Sequence, residues 1–296
     1  MDRTQIVACV IVGLWVSWGL GCTKERPITV GSKNFTEQVI LGEIVAQHLE
    51  HRLSRTVDRK LNLGGTLLAH QALVNGEIDL YPEYTGTALT TVLKLSPAHD
   101  PAAAMATVRE AYHKRFGVEW MGPLGFNNTF AMVIRGEEAR TSKIATLSEA
   151  ARHAPGWILG VGYEFQQRSD GLAGLLGTYH LPLKGSPKTM DLGLLYKALE
   201  QRQVTMIAAN ATDGPLSILD VMVLRDDKRY FPPYDCALAV RGEILKDNPL
   251  FRQALTELSA RITDGTMRTL NYQVDGEHRP VREVAEQFLR DAGLLR

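Results

Sequence analysis

The stretch ITVGSKNFTEQVILGEIVAQHL, residues 28–49, opens on β-branched Ile28, Thr29 and Val30, turns through Gly31 to Asn34, and continues with apolar residues at Val39, Ile40, Ile44, Val45 and Leu49. A short β-branched run followed by helical spacing predicts a strand and then a helix over 36–53. Outward from this unit the pattern recurs. Leu61 to Leu63, the turn Gly64-Gly65-Thr66, a helix through Val74 and the strand-like IDLY ending at Tyr81 form the next one. Asp100-Pro101 reads as the N-cap and first position of a helix through Ala111, and Gly117 as its stop. Farther on, TFAMVI (129–134), WILGVG (157–162), VTMIAA (204–209) and VMVL (221–224) alternate with helical stretches near 171–176 and 191–201. Two amphipathic helices, 249–262 and 279–289, are expected to close the chain. Such alternation predicts an α/β protein with parallel-type sheets covered by helices on both faces. Ligands of open α/β sheets sit beyond the carboxyl ends of strands, so the segments that follow strands are the ones to search.

With 296 residues, 45% of them hydrophobic and 22% charged, the chain can build a full core, and its length fits about two domains. Thirty-three basic residues balance 33 acidic ones, which gives no global reason to bind nucleic acid. Ile6 to Gly21 is almost continuously apolar, follows Arg3 and ends in small residues, as an export signal does. It is shorter than the ~20 residues needed to span a bilayer. Gly19-Leu20-Gly21-Cys22 resembles a bacterial lipobox, so residues 1–21 are read as a lipoprotein signal peptide, Cys22 as the lipidated residue and 22–26 as a tether. That leaves Cys236 as a lone thiol in an apolar run, read as a small buried hydrophobe.

The segments after strands hold the unusual residues. GSKNFTEQ (31–38) offers Lys33, the Thr36 hydroxyl and helix N-terminal amides, which could bind an anion or simply cap the helix. YPEYTGT (81–87) places Tyr84 and Thr87 beside Gly86, which permits a close approach. GFNNTFA (125–131) carries Asn128 and Phe130 where the chain enters a strand. FQQRSDG (165–171) offers Arg168 as a fork-shaped donor for a carboxylate, unless Arg168 is merely solvated and Asp170 caps a helix. NATDG (210–214) and FPPY (231–234), with Asn210 and Tyr234, sit at lobe junctions. Catalysis has little support. The eight histidines are scattered, His48 and His51 read as a solvated helix face, and no HExxH, GxSxG or Walker loop occurs, so no catalytic residue, metal or cofactor is expected.

In this order, GSKNFTEQ, LGGT, GEIDLYPEYTGT, GFNNTFA, FQQRSDG, NATDG and DDKRYFPPY resemble the substrate-binding proteins of osmoprotectant ABC importers for glycine betaine, choline and carnitine, over residues 27–296. The resemblance implies a type II periplasmic-binding-protein fold, with two α/β lobes joined by two crossover segments and a ligand cleft between them. Lobe 1 would be 27–127 plus 230–296, and lobe 2 would be 128–229. It also implies a small-molecule betaine or quaternary amine as ligand, a separately encoded ABC permease and ATPase as partners, a monomer, and a periplasmic or cell-surface location tethered through Cys22. By motif, Tyr84, Phe130 and Tyr234 would cage the quaternary ammonium, with each ring face contributing on the order of 0.5–2 kcal/mol. Lys33, Thr87 and Arg168 would take the carboxylate, with Thr36, Asn128 and Asn210 beside them. Two positions depart from the pattern: relatives carry Tyr where Asn210 stands, and commonly Tyr at Phe130. A larger betaine such as ergothioneine, another zwitterion, or a sensor subunit on the same fold are the alternatives.

Overall fold

The structure, a computed structural model, describes residues 26–295 except 153–155 and 247. The expected signal peptide, the lipidation site Cys22 and most of the tether lie outside the described residues. Strands are β1 (Ile28–Gly31), β2 (Val57–Lys60), β3 (Leu80–Tyr84), β4 (Val118–Asn127), β5 (Phe130–Arg135), β6 (Leu159–Val161), β7 (Lys188–Thr189), β8 (Met206–Asn210), β9 (Val221–Leu224) and β10 (Asp235–Arg241). They form two five-stranded sheets, in the orders β2-β1-β3-β10-β4 and β7-β6-β8-β5-β9. The chain leaves the first sheet after β4 and returns to it at β10.

The sheets are mixed, which corrects the expectation of parallel-type sheets. β10 runs antiparallel to β3 and β4, and β5 runs antiparallel to β8 and β9. The reason is the crossing. A strand that enters a sheet directly from the other lobe has no crossover helix to reverse it, so it pairs antiparallel with its neighbours. Strand ends differ from the sequence reading as well. β3 continues through Tyr84 instead of stopping at Tyr81, and 61–63 is irregular while β2 lies just before it.

The helix Thr36–Leu53 spans the expected residues. Asp100 caps the helix Pro101–Phe116 by accepting from Ala103 N at 2.7 Å, and Gly117 ends it at φ 64°. Three helices, Pro249–Glu257, Asp264–Asp275 and Val281–Asp291, stand where two were expected. The missed one starts on Asp-Gly-Thr, which reads as a turn, yet Thr263 caps it and Met267, Leu270 and Asn271 bury one face. His48, expected on a solvated face, is fully buried, with Nε2 2.9 Å from the Ala254 carbonyl.

Each sheet has apolar cores on its two faces. In the first, Val30, Ile40, Ile44, Leu238 and Phe251 pack on one side, and Leu73, Tyr81, Tyr112 and Trp120 on the other. In the second they are Met132, Trp157, Leu159 and Phe165 on one side, and Val133, Leu195, Leu199 and Ile207 on the other. Fully burying a side chain of this kind contributes about 1.5–3 kcal/mol. Among the described residues no helix is long and apolar enough to cross a membrane.

Asp100→Ala removes the cap of the helix that covers one face of the first sheet. It is expected to lower unfolding stability by about 1 kcal/mol, read as a reduced urea midpoint with an unchanged slope.

Candidate functional site

A cavity of about 730 Å³ lies between the two sheets. Lys33, Thr36, Tyr84, Thr87, Asn128, Phe130, Arg168, Asn210 and Tyr234, all chosen from the sequence, line it. Its volume falls within the roughly 300–1,000 Å³ usual for small-molecule pockets.

The two crossover segments build its floor. Tyr234 N donates to Asn127 Oδ1 at 2.8 Å, and Asn128 N donates to the Tyr234 carbonyl at 3.2 Å. β5 then begins at Phe130, whose register partner at the end of β8 is Asn210. Phe130 packs edge-on to Phe165 at 4.8 Å and to Tyr234 at 5.6 Å. Gly86 lets Tyr234 come close, because a Cβ there would lie 2.7 Å from its ring and 2.8 Å from the Pro233 carbonyl.

Two buried ion pairs supply the basic groups. Lys33 Nζ lies 2.7 Å from Glu83 Oε1, with both side chains almost wholly buried, and 4.6 Å from the Tyr84 ring centroid. Arg168 grips Asp170 through Nε at 2.8 Å and Nη2 at 2.6 Å, and donates from Nη1 to Thr87 Oγ1 at 3.0 Å. Its guanidinium carbon lies 5.2 Å from the Phe130 centroid and 5.5 Å from that of Tyr234. Asp170 also accepts from Tyr234 OH at 2.6 Å and Thr90 Oγ1 at 2.8 Å. Burial works against the Asp170 charge, but the bonds to Arg168, Tyr234 and Thr90 outweigh it and hold the carboxyl below its usual range. Arg168 is therefore buried and paired, not solvated. Asp170 caps no helix, since Gly171 occupies the N-cap of Leu172–Tyr179 without a side-chain bond.

Acidic residues that the sequence reading passed over line the same cavity. Glu37 is buried and accepts from Tyr84 OH at 2.5 Å, Asn128 Nδ2 at 2.8 Å, Asn271 Nδ2 at 3.2 Å and the Thr212 hydroxyl. Burial raises its carboxyl above the usual range, and these donors offset only part of the rise. It stands in the first turn of the helix Thr36–Leu53, where any carboxylate suits the helix dipole, so nothing local marks it as a site residue. Asp213 accepts from Tyr196 OH at 3.1 Å and from Asn210, N at 3.0 Å and Nδ2 at 3.3 Å. Thr36 sits at the rim and donates to Asp275 Oδ1 at 2.6 Å. Asn271 and Tyr272 reach the cavity from the helix that the sequence did not reveal.

Several of these bonds join the two lobes across the cleft. Arg168 to Thr87, Asp170 to Thr90, and Thr212 to Glu37 are three, and Thr66 N donating to Glu164 Oε1 at 3.0 Å is a fourth. Groups from both walls therefore close on whatever occupies the space. Among the described residues no group of three or more His, Cys, Asp or Glu side chains could hold a metal ion.

Comparison with known proteins places this geometry. The family described as "Substrate binding domain of ABC-type glycine betaine transport system" matches residues 26–291. The chain is 35% identical over 303 residues to a glycine-betaine-binding protein of Pseudomonas aeruginosa, covering 99% of this chain and 95% of that one. It is 37% identical over 273 residues to the ergothioneine transport permease/ergothioneine binding protein EgtU of Helicobacter pylori, covering 92% of this chain but 48% of that relative's length. A solved structure described as a glycine betaine/carnitine/choline ABC transporter superposes with a TM-score of 0.78 at 30% identity, over 90% of this chain and 99% of its own. The fold is the two-lobe periplasmic-binding-protein fold.

Gly86→Ala forces either the Tyr234 ring or the Pro233 carbonyl to move. It is expected to destabilise the protein by about 1–3 kcal/mol in urea unfolding, because neither neighbour is the free end of a flexible chain.

Proposed function

The chain belongs to the family of substrate-binding domains of ABC-type glycine betaine transport systems, and from that premise we propose that its cleft captures a betaine-type zwitterion and hands it to a separate membrane permease without chemical turnover. One observation carries this reading. Lys33, Thr87 and Arg168 converge on the same cavity as the rings of Tyr84, Phe130 and Tyr234. A trimethylammonium group has no N–H to donate, so ring faces and dispersion are its main attractive partners. A carboxylate wants a guanidinium fork, an ammonium and a hydroxyl. The cleft offers both sets, and bonds between the walls would desolvate the two ends of the ligand together when the lobes close.

Proteins of this kind work outside the cytoplasm. Tethering by a lipid on Cys22 after removal of residues 1–21, action as a monomer, and partnership with a separately encoded permease and ATPase complete the proposal.

A larger betaine such as ergothioneine is the second reading. It is favoured by the polar wall at Asn210 and Asp213, where a ring would narrow the space around a small head group. The 37% identity to a relative described as an ergothioneine binding protein supports it as well.

Calorimetric titration of the refolded, ligand-stripped protein with glycine betaine, carnitine, choline and ergothioneine tests both readings. Binding at micromolar or tighter affinity is expected for at least one carboxylate-bearing quaternary amine, and silence from all four on a folded sample defeats the proposal. Arg168→Lys keeps the charge and loses the fork, so carboxylate-bearing ligands are expected to weaken by about tenfold or more while choline changes by less than about threefold.

A further inference from the structure

We propose that Asp213 is a specificity-determining residue of this cleft, a carboxylate that attracts the ligand's cationic head from the wall where Asn210 stands. The inference rests on reading the cleft as a betaine site. The carboxylate is aimed by its surroundings. Oδ2 accepts from Asn210 N and Tyr196 OH, and Oδ1 accepts from Asn210 Nδ2. The residue is half-buried and lines the cavity. Asn210 is the register partner of Phe130, which brings the Asp213 wall beside a ring face of the cleft.

The charged groups of the lining are unevenly paired: Asp213, Asp191 and Asp275 line the cavity with no ion-pair partner among the described residues, and of these Asp213 is held by Asn210 beside the Phe130 end of β5. Lys33 and Arg168 are the basic residues that line the cavity, and each is neutralised from behind, by Glu83 and Asp170. Among the described residues, no Lys, Arg or His nitrogen lies within 4.0 Å of an Asp213 or Glu37 carboxylate oxygen. A cavity-lining carboxylate with no ion-pair partner among the described residues, fixed beside the Phe130 end of β5, fits a positively charged ligand group, and its charge is felt over a longer range than a ring face.

Around Asp213 stand Tyr196 from the helix Leu192–Glu200 and Glu37 from Thr36–Leu53, with Tyr272 from Asp264–Asp275 packed on Gly214; Arg268 of that helix acts on Tyr196 and donates to the Ala211 carbonyl, and Asp191 and Asp275 lie elsewhere on the cavity wall. Burial pushes the Asp213 carboxyl up to about 6, and the nearby Glu37 charge adds to the rise. A cation bound beside it favours the ionised form, so affinity holds above this value and declines as the pH falls through it.

The test is calorimetry from about pH 8 to about pH 5 with whichever quaternary betaine binds, beside 3,3-dimethylbutanoate, the carbon isostere of glycine betaine without its positive charge. Asp213→Asn is expected to weaken the betaine about tenfold or more at pH 8, to change the isostere little, and to abolish the decline near pH 6. Tyr196→Phe removes a donor that stabilises the ionised form, so the decline is expected to move to higher pH. If Asp213→Asn fails to fold, the wild-type profile decides. Betaine affinity unchanged down to pH 5, or equal affinity and an equal pH profile in Asp213→Asn, overturns the inference. Absence of betaine binding by the wild type at pH 8 defeats the betaine reading itself.

Discussion

The cleft depends on one constraint: the chain passes between the two sheets twice, and the two passages are tied together. Asn127 and Asn128 leave the first lobe, Tyr234 returns to it, and hydrogen bonds join them directly. Tyr234 therefore cannot drift from Asn128, and Phe130 follows two residues later on β5. Asn128 and Phe130 from one passage and Tyr234 from the other thus meet at one short stretch of backbone pairing. The same passages set the sheet geometry. β10 inserts antiparallel between β3 and β4, and its pairing places Cys236 opposite Tyr84. Tyr84 and Tyr234 are thereby carried to the same end of one sheet.

Charge is handled by pairing before any ligand arrives. Lys33 with Glu83 and Arg168 with Asp170 sit in surroundings where a single unpaired charge would be costly. Pairs of this kind add little net stability over apolar packing, so their value lies in orientation. Asp170 illustrates this, because it receives Arg168, Tyr234 and Thr90 at once and fixes a donor of the second lobe against two groups of the first. Each basic group keeps its charge and its geometry while its pole of the cleft stays close to neutral.

What could be read from the sequence was what short-range chemistry dictates. The cap at Asp100, the stop at Gly117 and the helix from Thr36 follow from local propensities. The site motifs were visible because Gly, Asn and aromatic residues cluster after strands, where a surface turn seldom needs them. Long-range pairing was not visible. The antiparallel insertion of β10 and β5 depends on a chain path between lobes, which no local period records. Glu83 looked like one more polar residue of a motif, and its partner Lys33 lies fifty residues away. The helix Asp264–Asp275 hid behind a turn-like start, although its buried face had the right spacing.

The Asn210 wall shows how two attractive effects differ in what they select. A ring face attracts a cation at contact and rewards a close fit, so a complete cage discriminates by shape. A carboxylate acts over a longer distance and is less sensitive to the outline of the group it attracts. Asn210 holds Asp213 through two hydrogen bonds, and on the proposed reading shape selection at that wall would give way to charge selection. Lys33 lies over the Tyr84 ring, and Arg168 over the Phe130 and Tyr234 rings. On the proposed reading a zwitterion would lie with its carboxylate toward Arg168 and its cation toward Asp213, and a wall without a ring would admit a head group with more bulk than three methyls.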